Sequence, residues 1–407
     1  MRILVISPIS SHPQDEGNTE RVFQIMTHLK KEGHDVFLLY FQIQSFSKPK
    51  NLDALYEAWP DRVAHVEVSG NLKGKGPAIT PRYALYRKIL GLGHKLPRSL
   101  RPSFYSLSDV IGGADRWVPR RAGGKLREVV EAFKPEAVVC EYAVLSAFLD
   151  EFDSGVIKII DTHDKFTDRN SNIGRQGILP WLSFTKSQER KALLRADHVI
   201  AIQQEEAAYF RGLTAGRSAV HLVEQLSELP VVSDASDSPG VFGLIGSPNP
   251  FNLEGLAWFY ESIWPKITNA VPGAKMVLAG SICGRVPAPS GVVEIGFVKD
   301  RVDFYNQCSF VVNPVRGGTG LKIKSVEALF HARPLVTTKH GASGLLDLYP
   351  DGIMACDDPG AFAEACILLL KDQEKVRSMS RMASESARRV GDKSSASLEE
   401  CLQPRKR

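Results

Sequence analysis

Short apolar runs recur along this chain with helix-period segments between them, and that alternation constrains the fold more than any other feature. Arg2–Ile9 (RILVISPI) reads as a buried first strand. A polar loop, Ser10–Asn18, follows. From Thr19 the apolar residues Val22, Ile25, Met26 and Leu29 recur at helical spacing, and Gly33 supplies a stop signal. Val36–Tyr40 is the next apolar run. Strand, helix and strand in that order make a βαβ unit with parallel pairing. Ala137–Cys140, Val156–Asp161 and His198–Ile202 continue the rhythm.

The stretch 224–240 (EQLSELPVVSDASDSPG) breaks it. Ser, Asp and Pro dominate there and no period persists, as expected of a linker. A second series then begins with strands at Val241–Ile245, Met276–Ala279, Val292–Ile295, Phe310–Asn313 and Pro334–Thr338. Leu256, Phe259, Ile263 and Ile267 mark a helix face, and Asp357-Asp358-Pro359 starts an apolar helix over Ala361–Leu370. The expected organisation is a first domain over 1–225, a linker over 226–240 and a second domain over 241–385. Residues 386–407 form a polar, partly helical tail that returns to the first domain. Each domain is an open, mostly parallel sheet, and such sheets bind ligands beyond the carboxyl ends of their strands. Two of them face to face would form one deep cleft.

Composition narrows the partners. With 407 residues and 43% hydrophobic content, the chain can build real cores. A formal charge of +5 is too mild for a general nucleic-acid binder. The six cysteines, at 140, 283, 308, 356, 366 and 401, form no Cys-x-x-Cys pair and read as buried reduced thiols, which fits a reducing compartment. The first apolar run is too short for a signal-peptide core, and no run approaches a membrane span. A cytoplasmic location is expected.

The segment 313–329 (NPVRGGTGLKIKSVEAL) carries the most chemistry. Glycines at 317, 318 and 320 allow close backbone approach to a ligand. The helix that follows, from about Lys322, presents its free N–H groups to that loop. A helix amino terminus favours an anion by about 0.3–1 kcal/mol, and a charged hydrogen bond from Arg316 or Lys324 adds roughly 1.5–3 kcal/mol. Together these suit a diphosphate. Glu327 lies one turn beyond Lys324, where a carboxylate can accept both hydroxyls of a ribose. On the local pattern alone, a plain turn followed by a surface Lys–Glu pair explains the segment equally well. No Walker motif is present, and no G-x-G-x-x-G follows the first strand of either half.

Gly320-Leu321-Lys322-Ile323-Lys324-Ser325-Val326-Glu327-Ala328-Leu329, followed by Arg333-Pro334-Leu335-Val336-Thr337-Thr338, resembles the donor-site signature of the family-4 glycosyltransferases. Gly17-Asn18-Thr19-Glu20-Arg21 with Lys31-Glu32-Gly33-His34-Asp35-Val36 resembles their first βαβ unit. Phe242-Gly243-Leu244-Ile245-Gly246-Ser247 through Trp258-Phe259 resembles the opening of their donor domain. The resemblance spans most of the chain and is weakest over 45–135. It implies a GT-B architecture, two Rossmann-like doubly wound domains facing a central cleft, and a retaining, metal-independent enzyme. No cofactor is expected beyond a nucleoside-diphosphate sugar as co-substrate.

By that resemblance Glu327 holds the nucleotide ribose and Lys324 the diphosphate, although Lys322 can take the same part. Gly318, Thr319, Gly320 and Leu321 line the donor sugar and phosphate through their backbone, with Arg316 assisting. Phe297 and Val298 follow the strand that reads the base, and Gly17 sits at the cleft floor. His163, in DTHDKFTDRN after an apolar run, is expected near the anomeric centre, where it donates to a sugar hydroxyl or orients the acceptor. Asp164 and Asp161 are alternative bases, and a loop histidine merely capped by these acids is the plain alternative. Two features depart from the family. Gly317-Gly318-Thr319 lacks an acid that many relatives carry, and Ser247-Pro248-Asn249 lacks a basic residue.

From Lys73 to Ser108 there is no acid, while Lys73, Lys75, Arg82, Arg87, Lys88, Lys95, Arg98 and Arg101 lie there. This is either a solvated surface insertion or a patch for anionic headgroups or a lipid-linked acceptor. The expected activity is transfer of a sugar to a hydroxyl acceptor. The rivals are an epimerase on the same scaffold and a non-catalytic sugar-nucleotide-binding subunit.

Overall fold

The computed structural model describes residues 1–14, 17–43, 52–68, 92–93, 95–97, 99–101, 104–105, 123–169, 182–226, 230, 232–318 and 323–404. The chain divides into two compact units. The first is Met1–Ser227 with Lys393–Arg407, and the second is Glu228–Asp392.

In the first unit the strands are β1 (Arg2–Ser7), β2 (Asp35–Ile43), β3 (Val63–Val68), β4 (Ala137–Glu141), β5 (Ile157–Asp161), β6 (His198–Ala201) and β7 (Ala219–Leu222). Helices α1 (Gly17–Lys31), α2 (Asp53–Ala58), α3 (Gly123–Phe133), α4 (Lys186–Leu193) and α5 (Gln204–Thr214) lie between them, with 3₁₀ turns over Ala143–Glu151. The described strands form one parallel sheet in the order β3-β2-β1-β4-β5-β6-β7. Ile3 pairs with Val36 on one side and Ala137 on the other, so the first apolar run is the centre of the sheet. Ile3, Leu4, Val5 and Ile6 are fully buried, as a strand covered on both faces must be.

The second unit repeats the plan. Its strands are β8 (Val241–Ile245), β9 (Lys275–Ala279), β10 (Val292–Gly296), β11 (Phe310–Asn313), β12 (Leu335–Thr337) and β13 (Ile353–Ala355). They form a parallel sheet in the order β10-β9-β8-β11-β12-β13. Its helices are α6 (Pro250–Trp258), α7 (Trp264–Ala270), α8 (Arg301–Asn306), α9 (Ile323–Phe330) and α10 (Pro359–Lys371), and α11 (Gln373–Cys401) follows. The expected helix face Leu256–Ile267 is interrupted by a π-helical turn at Phe259–Ile263. Pro265 is the physical reason: it has no N–H to give to the carbonyl four residues earlier.

Both sheets reverse their strand order beside the central strand, between β1 and β4 and between β8 and β11. In a doubly wound sheet the crossovers leave opposite faces at that point and open a crevice at the carboxyl edge. The α/β class with two Rossmann-like sheets is therefore as the sequence implies. Three strands, β3, β7 and β13, go unread in the sequence. The cysteines are reduced; Cys140, Cys308, Cys366 and Cys401 are buried, while Cys283 and Cys356 are partly covered.

Arg333 is fully buried in the second unit. It donates to the Tyr305 carbonyl at 2.7 Å, the Ser233 carbonyl at 3.0 Å and Asn306 Oδ1 at 3.3 Å. It thereby ties residues from the stretch read as linker to the end of α8. Arg333→Ala orphans these acceptors and is expected to cost roughly 3–5 kcal/mol. Arg333→Lys restores only part, because one ammonium cannot reproduce the planar fork. Urea unfolding measures both. A loss under about 1 kcal/mol for the alanine variant would show that these bonds are not needed.

Candidate functional site

The crevice edge of each unit carries a constellation of polar residues. In the first unit, β4 and β5 both end in an acid, Glu141 and Asp161, and both carboxylates are fully buried. Arg21, on the buried side of α1, donates from Nε to Asp161 at 2.9 Å and from Nη2 at 3.3 Å. His163 lies two residues past β5 with φ at +56°, a backbone twist that turns its ring back toward the strand ends. Its Nε2 is 2.5 Å from Glu141 Oε2 and 3.6 Å from Asp161 Oδ2, and its ring stacks on Tyr142 at 4.0 Å.

These groups shift one another. Burial pushes the Asp161 carboxyl up, but the Arg21 guanidinium and the charge of His163 outweigh this and hold it below the usual range. Burial pushes Glu141 up, and the Asp161 charge adds to the rise. Burial also pushes His163 down, but the Asp161 and Glu141 charges overcome it and hold the imidazole above its ordinary value. The imidazole is thus more readily protonated than a free one, and it is hydrogen-bonded to Glu141. Glu141, Asp161 and His163 also lie close enough together to resemble a metal cage. Arg21 already supplies the cation there.

The loop beyond His163 is pinned by two buried acids that no sequence pattern singles out. Glu189 of α4 accepts from Phe166 N at 2.7 Å, from Thr167 N at 3.0 Å and from the Thr167 hydroxyl. Glu206 of α5 accepts from Lys165 N at 3.1 Å. Asp164 is not inside the buried cluster. It is partly exposed and pairs with Arg169 at 3.2 Å. Gly17 opens α1, one turn before Arg21.

In the second unit the switch point lies between the loop after β8, Gly246–Asn249, and the glycine loop after β11. Gly280 closes the floor. Its φ is +92°, and a Cβ there would stand 2.3 Å from the Gly246 carbonyl oxygen, so only glycine fits. A Cβ on Gly317 would meet the Phe251 ring at 2.8 Å, and Gly318 has φ at +114°. Thr319, Gly320, Leu321 and Lys322 lie outside the described residues. Asn249 caps α6, accepting from Asn252 N at 2.9 Å, and Asn252 donates to the Ser247 carbonyl at 2.7 Å. The other end of the same amide, Asn252 Oδ1, accepts from Lys324 Nζ. Asn252 thus fixes the ammonium beside Gly246, at the end of the central strand. No sequence signal marks Asn252, since a polar residue in a first helical turn looks like any solvated cap.

Helix α9 is anchored from below. Asn313 Nδ2 donates to Ser325 Oγ at 2.9 Å, and Ser325 donates to the Gly341 carbonyl at 2.9 Å. One turn past Lys324, Glu327 is paired with Arg301 and accepts from the Tyr305 hydroxyl at 3.4 Å. His331 stacks on Tyr305 at 4.0 Å, and burial, with the Arg301 and Arg333 charges, pushes it down to about 4. Arg316 points along α6, paired with Glu254 and 4.8 Å over the Trp258 ring. Phe297 is 77% exposed just after β10, and Val298 beside it is half-buried. Gly317, Lys324 and Glu327 are thus held at one carboxyl edge, while Arg316 is committed to its helix neighbours.

Residues 239–372 match the family described as "Glycosyl transferases group 1". An uncharacterised 44.6 kDa protein in the cps region of Klebsiella pneumoniae is 24% identical over 136 residues, and the match covers 29% of this chain and 34% of that protein. Among solved structures, TarM aligns over 98% of both chains at TM-score 0.65 with 11% identity. HepE of Anabaena, solved with UDP, aligns over 98% of this chain and all of its own at TM-score 0.58 with 14% identity. Sucrose-phosphate synthase of Thermosynechococcus elongatus covers 98% of this chain and 97% of its own at TM-score 0.60, with 13% identity. These likenesses establish the fold as that of the GT-B glycosyltransferases. No described helix is long and apolar enough to cross a membrane.

The loop anchors give a pH signature. Burial, with the Asp164 charge adding to it, pushes Glu206 from 4.5 up to about 7. Folded Glu206 keeps its proton where the unfolded chain has lost it, so its contribution falls as pH rises from 4.5 to about 7. The loss amounts to about 3 kcal/mol. Thermal unfolding between pH 5 and 8 should show this fall in the wild type and a flatter profile in Glu206→Gln. Part of the slope remains in the variant, because burial pushes Glu224 to about 7 as well. Parallel profiles would mean that Glu206 does not titrate in this range.

Proposed function

We propose that the chain, whose residues 239–372 match the group 1 glycosyl transferases, transfers a sugar from a nucleoside-diphosphate donor to a hydroxyl acceptor. One observation carries the reading. Lys324 is held by Asn252 at the end of the central strand, beside a glycine loop too tight for a side chain at 317, with Glu327 one turn beyond. A diphosphate needs backbone N–H groups and a fixed cation, and a ribose needs a carboxylate acceptor at that spacing. HepE was solved with UDP and glucose, and TarM with UDP; both support a nucleotide donor here.

In this reading the anomeric carbon–oxygen bond to the diphosphate breaks and the acceptor oxygen bonds to the same carbon with retention. The acceptor proton passes to the departing phosphate oxygen on that face. The amino end of α9 and Lys324 stabilise the charge that develops on the leaving group, which is why no metal ion is assigned to the step. Glu327 leaves Arg301 for the ribose hydroxyls, and Phe297 and Val298 border the base. Gly318, Thr319, Gly320 and Leu321 hold the donor sugar and phosphate, with Arg316 beside them. In the first unit Gly17, His163 and Asp164 serve the acceptor and the sugar, His163 as a hydrogen-bond donor set by Glu141. The acid-free stretch 73–108, most of it outside the described residues, supports an anionic or lipid-linked acceptor. More sedimentation with anionic than with neutral vesicles is the expected sign of it, and equal sedimentation removes it.

Calorimetry with nucleoside diphosphates and the matching nucleosides tests the donor site. Lys324→Ala is expected to weaken the diphosphate roughly 10- to 100-fold, from the loss of about 1.5–3 kcal/mol, and to leave the nucleoside nearly unchanged. Glu327→Ala should weaken both. Equal effects of Lys324→Ala on the two ligands would remove its assigned role. Transfer rather than epimerisation is tested by supplying donor alone: an epimerised donor with no acceptor would overturn the reading.

A further inference from the structure

At the opposite edge of the first sheet from the site just described, His198 opens β6 and His221 lies beside it in β7. The last turn of α11 brings Cys401 to the same place. His198 and Cys401 are buried, and the His221 side chain is 13% exposed. One ligand atom from each of the three residues lies within 4.8 Å of the others. We infer that His198, His221 and Cys401 bind a divalent cation of zinc's chemical class, which fastens the chain's carboxyl-terminal segment to β6 and β7.

The surroundings of the two imidazole rings point the same way. A metal-binding imidazole needs one nitrogen bare and usually gives its other N–H to a carbonyl or carboxylate, which fixes the ring. His198 Nε2 is 3.1 Å from the Gln403 carbonyl, so that nitrogen carries the proton and Nδ1 is bare. Nδ1 faces His221 Nε2 at 2.9 Å. The other nitrogen of His221, Nδ1, lies 3.6 Å from the Glu400 carboxylate. His198 therefore has the outer hydrogen-bond partner that ligating histidines use, His221 has a carboxylate at ion-pair distance, and their inner nitrogens converge.

Two imidazole nitrogens and a thiolate form the donor set that zinc prefers over magnesium or calcium. Zinc–nitrogen bonds of 2.0–2.1 Å at a tetrahedral centre put the nitrogens about 3.3 Å apart, so the rings need to open by roughly 0.4 Å. Water completes the fourth position. Metal-free, the same rings share a proton, as the 2.9 Å contact requires. The ion is structural and independent of the proposed sugar transfer. It joins residues 198, 221 and 401, which are remote in sequence, and so stabilises by mass action when bound only to the folded chain.

The test uses the full chain, produced with zinc, desalted and assayed for metal content. About one zinc per chain is expected, and Glu400→Gln should weaken its affinity roughly 10- to 100-fold. Replacement by cobalt(II) should give tetrahedral visible bands with a near-ultraviolet thiolate charge-transfer band, and Cys401→Ser should remove the latter. Because Cys401 is buried, its variant could fail to fold, so the wild-type cobalt spectrum and the surface change Glu400→Gln stand as independent readouts. Zinc below about a tenth per chain would overturn the inference, as would a cobalt spectrum without a thiolate band or one unchanged in Cys401→Ser.

Discussion

Parallel pairing forces every strand of a sheet to end at the same edge, and both units of this protein are built on that constraint. The return path must cross a face of the sheet, so loops far apart in sequence collect at the carboxyl edge. Where the strand order reverses, at β1/β4 and β8/β11, no crossover covers that edge. Residues 141, 161 and 163 meet Arg21 there in the first unit, and residues 252 and 324 meet there in the second. These groups share no local sequence, and the topology alone makes them neighbours.

The two edges solve the same problem, holding a charged group still, in different ways. In the first unit charges are buried and paired. Arg21 answers Asp161, while His163 and Glu141 share a hydrogen bond. Removing one member would leave the others uncompensated in a low dielectric, which typically costs several kcal/mol. In the second unit the charge is half-exposed and steered by a neutral amide. Asn252 grips the loop after β8 with one end and Lys324 with the other. An ammonium fixed before the ligand arrives need not reorganise when negative charge develops near it, and that is the main electrostatic advantage of an enzyme site over water. The loop beyond His163 is likewise held in advance, by three bonds to Glu189 and one to Glu206.

The central strands were legible because burial on both faces writes them as unbroken apolar runs; Arg2–Ile9 and Phe310–Asn313 are examples. Of the edge strands only β10 was, as Val292–Ile295. β7 and β13 have only 4 and 3 residues, most of them half-buried, so no run or alternation announces them. The glycine loop could be read because a backbone that must approach something closely excludes side chains, and that exclusion is visible as letters. Asn252 could not be read, because its role depends on a partner 72 residues away. Glu141 carried a signal that went unused: AVVCE ends an apolar run in an acid just as IKIID does at Asp161. Arg333 stands in a segment with a recognisable signature, yet in the fold it bonds to backbone carbonyls at 233 and 305.

In the proposed donor site a pyrophosphate lodges between the glycine loop and Lys324. Crystals of the full chain grown with a nucleoside diphosphate test it most directly. Phosphate density is expected within hydrogen-bond distance of Lys324 Nζ and the amides after Gly317, with the ribose hydroxyls on Glu327 and Arg301 displaced. Density for the nucleotide at any other place, with Lys324 still bound to Asn252 and Glu327 still bound to Arg301, would contradict it.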